Sequence, residues 1–72
     1  MSTGEKIKHN RKRLCLTRER LGELVGVTRR AVSYYECGER FPDLATLAKM
    51  ARVFGVDPVS LLPDWFINYA TT

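Results

Sequence analysis

Cysteine and histidine are scarce in this chain: Cys15 and Cys37 are its two thiols and His9 its one imidazole. Two cysteines are too few for a disulfide framework, and neither their spacing nor the solitary histidine matches a zinc pattern. They read as ordinary half-buried thiols in a reducing cytoplasm, and neither a metal nor another cofactor is expected. Long apolar runs are also missing, so nothing is sized to cross a bilayer and no membrane partner is implied. The opening stretch MSTGEKIKHNRKRL carries charge with no apolar segment behind it, which argues against a secretory signal. There is no repeat, no low-complexity segment and no linker. No segment alternates apolar and polar residues over strand length, which leaves an all-α fold. The chain also lacks a nucleophile–base set and a glycine loop that would cradle phosphate, so an enzyme is disfavoured.

What is present is a chain of 72 residues, 44% hydrophobic, with the apolar positions spread along its length. That predicts one small packed domain over residues 1–72, with a core of about 4–62 and a short tail over 63–72. A core this small is marginal unless a partner or staple helps it. The net charge is +4, unevenly placed. Residues 1–30 carry Lys6, Lys8, Arg11, Lys12, Arg13, Arg18, Arg20, Arg29 and Arg30 against Glu5, Glu19 and Glu23, a net of +6. Residues 31–72 net −2. A basic half is the footprint of a chain that neutralises phosphates, although a solvated basic face has the same composition.

Punctuation divides the chain into five short helices. The first is predicted from about Glu5 to Leu14, with Ile7, Arg11 and Leu14 at helical spacing, followed by a tight connection at Cys15-Leu16. Thr17 caps a second helix over about Arg18 to Val25, with Leu21, Leu24 and Val25 inward. Arg20 stands where a capping box would want Glu or Gln. Gly26 ends that helix in the left-handed region. Thr28 caps a third, about Arg29 to Cys37, with Val32 and Tyr35 inward and Gly38 as its stop. After the loop Glu39-Arg40-Phe41-Pro42, Asp43 caps a fourth helix, about Leu44 to Phe54, with Leu47, Met50, Ala51 and Phe54 toward the core. Gly55 stops it, and Asp57-Pro58 opens a short fifth helix with Leu61 and Leu62. The aromatic tail from Pro63 to Tyr69 shows no clear pattern.

The informative constellation is two short helices joined by Gly26-Val27-Thr28. So short a connection forces a steep crossing and leaves the start of the third helix free to enter a DNA major groove. Gly22, mid-helix, costs about 1 kcal/mol relative to alanine, and a close approach of the second and third helices would account for it. The segment LTRERLGELVGVTRRAVSYYECGERFPDLATLAKMARVFGV resembles the lambda-repressor and Cro type of helix-turn-helix domain. The likeness rests on several features in order: Leu-Thr before the second helix, the Gly-Val-Thr turn, an apolar residue four after Thr28, Glu36-x-Gly38, Pro42, and Gly55-Val56. With its flanks it spans about Gly4 to Leu62.

The resemblance implies a compact five-helix domain that binds double-stranded DNA and regulates transcription, most often as a repressor. It places Arg29 and Arg30 where relatives reach base edges, and an arginine there can donate two bonds to O6 and N7 of guanine. Tyr34, one turn on, and Ser33 are further base-contact candidates. Thr17, Arg18, Thr28 and Arg40 are candidates for phosphate contacts, which fix register without reading sequence. At Arg18 the family usually carries glutamine. Arg11 and Glu36 match a partly buried salt bridge between the first and third helices, a structural role. Cys15 stands where the family often has a left-handed glycine. A domain this small touches few base pairs, so a homodimer on half-sites about one helical turn apart is expected. Leu61, Trp65, Phe66, Ile67 and Tyr69 are its candidate contact, unless the tail folds back on its own core. The competing reading is a protein-interaction module of the same fold, such as an antitoxin, with DNA binding secondary.

Overall fold

The computed structural model describes residues 1–70, all of them helical or in turns and loops. Five α-helices run Thr3–Arg13 (α1), Arg18–Val25 (α2), Arg29–Cys37 (α3), Leu44–Phe54 (α4) and Asp64–Ala70 (α5), with a 3₁₀ turn at Pro58–Leu61 between the last two. α3 packs against α1 and α2, and α4 packs against α2 and the 3₁₀ turn.

Local chemistry explains most boundaries. Thr17, Thr28 and Asp43 each accept a hydrogen bond from the backbone N–H three residues on, at Arg20, Ala31 and Thr46. The capping box missing at Thr17 occurs at Ser2 instead: Ser2 Oγ accepts from the Glu5 N–H, and Glu5 Oε1 accepts from the Ser2 N–H. α1 therefore starts at Thr3, earlier than its apolar spacing indicates.

α1 ends with paired bonds from the Cys15 N–H to the Lys12 carbonyl and from the Leu16 N–H to the Arg11 carbonyl. This closure needs a left-handed residue, and Cys15 supplies it at φ +57°. At Gly26, φ +78°, the same closure returns the Val27 N–H to the Gly22 carbonyl.

The core is Ile7, Leu21, Val25, Val32, Leu47, Met50, Ala51, Phe54 and Leu61. Leu24, read as inward, faces solvent at 42% exposed, and Leu14, at helical spacing from Ile7 and Arg11, is 37% exposed. On α2 the buried side runs through Leu21, Val25 and Gly22 because the following turn packs on Gly22, and this rotates Leu24 outward. A Cβ on Gly22 would lie 2.5 Å from the Val27 carbonyl oxygen, so the close neighbour is the backbone of the turn rather than α3 itself. A second close approach was not legible locally: a Cβ on Gly4 would lie 2.4 Å from the Tyr35 carbonyl oxygen, where α1 meets the end of α3.

The expected fifth helix is one 3₁₀ turn, capped by Asp57 and stopped at Leu62. Pro63 holds the preceding residue extended, which ends the turn there. Pro63 also starts α5, its carbonyl accepting from Phe66 and Ile67. α5 is tied to the start of the chain. The Asp64 carboxylate pairs with the N-terminal ammonium and with Lys6 Nζ (2.9 Å), and Lys6 Nζ donates to the Leu62 carbonyl at 2.7 Å. Leu61, proposed at a dimer contact, is instead fully buried in this chain's own core and offers no surface to a partner.

Candidate nucleic-acid interface

α2, the Gly26-Val27-Thr28 turn and α3 set the site. Thr28 fixes the first turn of α3, and Val32 anchors that helix in the core. The opposite side of α3 then faces outward. Arg29 and Arg30 are exposed, and Ser33 and Tyr34 are half-buried one turn later. Together these four line a single open concavity of about 480 Å³. A neighbouring concavity of about 430 Å³ lies at the start of α2, lined by Arg11, Thr17, Arg18, Glu19 and Arg29. Arg29 belongs to both, so it sits at their common border.

The charge of this surface is organised around one carboxylate. Glu36, with a side chain only 3% exposed, accepts from Arg11 Nε at 2.7 Å through Oε2 and from Arg11 Nη2 at 3.3 Å through Oε1. Arg11 Nη1 also donates to the Leu16 carbonyl at 2.8 Å, which ties the pair to the α1–α2 connection. Arg18 Nε donates to Glu36 Oε1 at 3.1 Å, from a side chain 38% exposed. One carboxylate thus serves two guanidinium groups, and the cluster keeps a net positive charge. Burying a lone glutamate here would be costly, and the paired arginines offset that cost.

Of the remaining candidates, Thr17 lines the second concavity and Arg40 reaches the site through Tyr34. The hydroxyl oxygens of Thr17 and Thr28 are used as helix-cap acceptors, and each hydroxyl keeps its proton as a donor. Arg40 is exposed, with its guanidinium carbon 5.2 Å from the centre of the Tyr34 ring. Both cysteines are free and exposed rather than half-buried, Cys37 donating weakly to the Tyr34 carbonyl at 3.5 Å. The aromatic tail candidates lie on α5, where Trp65 lines a further concavity together with Arg40. Trp65 is 71% exposed, and its ring meets Phe66 edge to face at 5.8 Å. Two contacts went unseen in the sequence, Arg18 with Glu36 and Arg40 with Tyr34. The first joins residues far apart in the chain. The second depends on how the loop after Gly38 returns, which no periodicity encodes.

Among the described residues, no group of three or more His, Cys, Asp and Glu side chains is placed to hold a metal ion, and no helix is long and apolar enough to cross a membrane.

Known proteins share this arrangement. A helix-turn-helix family profile matches residues 7–61. The SPbeta prophage-derived uncharacterized HTH-type transcriptional regulator YonR of Bacillus subtilis (strain 168) is 36% identical over 59 residues, covering 82% of this chain and 55% of the relative. This chain therefore spans about half the length of that relative. An uncharacterized HTH-type transcriptional regulator of Methanothermobacter thermautotrophicus is 43% identical over 49 residues, covering 68% of this chain and 71% of that protein. Among solved structures, the P22 c2 repressor in complex with a synthetic operator superposes with a TM-score of 0.83 at 32% identity, over 86% of this chain and 94% of the repressor chain. With its capped helices, its glycine turn and a matched span from Ile7 to Leu61, the chain belongs to the lambda-repressor type of the helix-turn-helix family.

Proposed function

We propose that this chain is a transcriptional regulator of the repressor kind, which binds double-stranded DNA sequence-specifically with α3 in the major groove. The observation that carries this reading is the placement of Arg29, Arg30, Ser33 and Tyr34 on one outward concave face, starting at the capped end of α3. Arginine and tyrosine there match the base edges offered by a major groove: paired acceptors on guanine and a methyl group on thymine. The adjoining concavity supplies Thr17 and Arg18, with Arg29 at its border, to grip the backbone. Arg18 reaches a phosphate only by sharing or leaving Glu36, so its grip is weaker than that of an unpaired arginine. Support comes from the P22 c2 repressor, which shares the fold and was solved on an operator.

In this reading the protein acts in the cytoplasm as a homodimer whose contact is built from Trp65, Phe66, Ile67 and Tyr69 on α5. Selection from random duplexes tests the function. The expected product is a two-fold symmetric site with half-sites about one helical turn apart. Recovery of no enriched sequence would overturn base reading and leave the interaction-module alternative, for which the exposed α5 aromatics are the docking surface.

A further inference from the structure

Tyr34 lies on the outward face of α3, yet its ring does not stand free. The backbone after α3 folds back on it: the Glu39 N–H donates to the Tyr34 carbonyl at 3.0 Å and the Arg40 N–H to the same oxygen at 3.3 Å. Gly38, at φ +84°, makes that return possible. Two bonds to one carbonyl pin the root of the Arg40 side chain relative to Tyr34, and the guanidinium then lies over the ring, 5.2 Å from its centre. A planar guanidinium can both stack on an aromatic face and attract it as a cation, whereas an ammonium on a flexible stem keeps only the less directed cation–π attraction.

We propose that Arg40 is a positioning residue for Tyr34: it holds the tyrosine ring in one orientation beside Arg30 and Ser33, so that the ring reads a base edge from a fixed place. This rests on the DNA-reading role of α3. A free tyrosine on a solvated helix face samples several rotamers and loses that freedom when it meets DNA, which weakens both affinity and discrimination. The Arg40 contact orders the ring before DNA arrives. Arg40 thereby contributes to sequence preference through another residue, in addition to the charge it presents to phosphates. The family expectation of a phosphate contact alone predicts no such link.

The test has one arm without DNA and one with it. In the free chain, nuclear Overhauser effects should connect the Arg40 side-chain protons to the Tyr34 ring, and Arg40→Lys should weaken them without changing the melting temperature, because Arg40 is exposed. Absence of these effects in the unsubstituted protein overturns the proposal and leaves DNA reading untouched. The second arm titrates Arg40→Lys, Arg40→Ala and Tyr34→Leu against single-base variants of the selected site. Arg40→Lys should keep the salt dependence yet lose part of the roughly two- to fivefold of discrimination that an exposed cation–π contact is worth, at the base position that Tyr34→Leu affects. The double variant should lose no more there than Tyr34→Leu alone. Unchanged preference in Arg40→Lys, with a uniform loss in Arg40→Ala, would show that Arg40 only grips the backbone. An unsubstituted chain with no base preference at all would sink the reading of α3 and this role together.

Discussion

Arg30 and Arg18 show how two arginines in one basic surface are set different tasks by their neighbours. Arg30 is exposed on the first turn of α3, while Arg18 is already paired with Glu36. Arg30→Ala should cost about 1–3 kcal/mol at one base position of each half-site and leave the other positions nearly untouched. Arg18→Ala should weaken all duplexes alike and lower the salt slope by about one. Titration of both variants against single-base changes in the site distinguishes these outcomes, and a uniform loss for Arg30→Ala would transfer base reading to Arg29, Ser33 or Tyr34. Cys15 is a residue-scale strain. An L-residue with a side chain pays about 1–2 kcal/mol in the left-handed region, and glycine's extra freedom when unfolded offsets part of the gain from relieving it. Since Cys15 is free and exposed, Cys15→Gly should raise the melting temperature by roughly 3–6 °C. An unchanged or lower melting temperature would count against the strain.

At the scale of elements, the crossing of α2 and α3 depends on a missing Cβ. The Val27 carbonyl oxygen would be 2.5 Å from one on Gly22, and that oxygen belongs to the backbone of the turn, which cannot swing aside as a side chain can. Gly22→Ala gains about 1 kcal/mol of helix propensity but must open the turn. The net expectation is a loss of about 1–2 kcal/mol, read as a melting temperature lower by roughly 5–10 °C, with DNA affinity falling further because α3 is displaced. A variant as stable as the parent would mean that the turn yields freely.

The contact between α1 and α5 should respond to pH. Hydrogen bonds from the N-terminal ammonium and then from Lys6 lower the Asp64 carboxyl to about 2, from an ordinary value of 3.8. A depressed carboxylate stabilises the fold above its unfolded value and loses that contribution as protons bind it. Thermal stability should therefore decline as pH falls from about 4 toward 2. Asp43 and Glu5, lowered mainly by hydrogen bonds from the Thr46 and Ser2 N–H groups, act in the same direction. Melting curves across this range should be flatter for Asp64→Asn than for the parent, and identical pH profiles would mean that the α5 latch contributes nothing.

For the whole molecule, the assembly proposal falls on α5. Trp65 is 71% exposed and Tyr69 80%, while Leu61, at the root of the same region, is buried within the chain. A dimer contact built here uses the aromatic face of α5 and leaves the core intact. Trp65→Ser combined with Tyr69→Ser should then halve the mass in solution toward the 8.2 kDa of one chain and weaken binding to the full symmetric site. A mass that stays the same in the double variant would place the interface elsewhere.

The sequence by itself determined α2, α3 and α4 to the residue, since each begins at a Thr or Asp cap and ends at a glycine, and caps act over three or four positions. It also determined that Arg30 and Tyr34 face outward, because Val32 had to be buried and helical spacing turns both to the opposite side; Arg29, three residues before Val32, was placed by the family resemblance, and its exposure is set by how α3 meets α2. Tertiary structure decided the rest. The burial of Leu61, the exposure of Leu24, the fit of Gly4 against α3, the sharing of Glu36 between Arg11 and Arg18, and the stacking of Arg40 on Tyr34 all depend on which surfaces meet. The pattern along one helix specifies a direction from its axis; what stands in that direction is set by other segments of the chain.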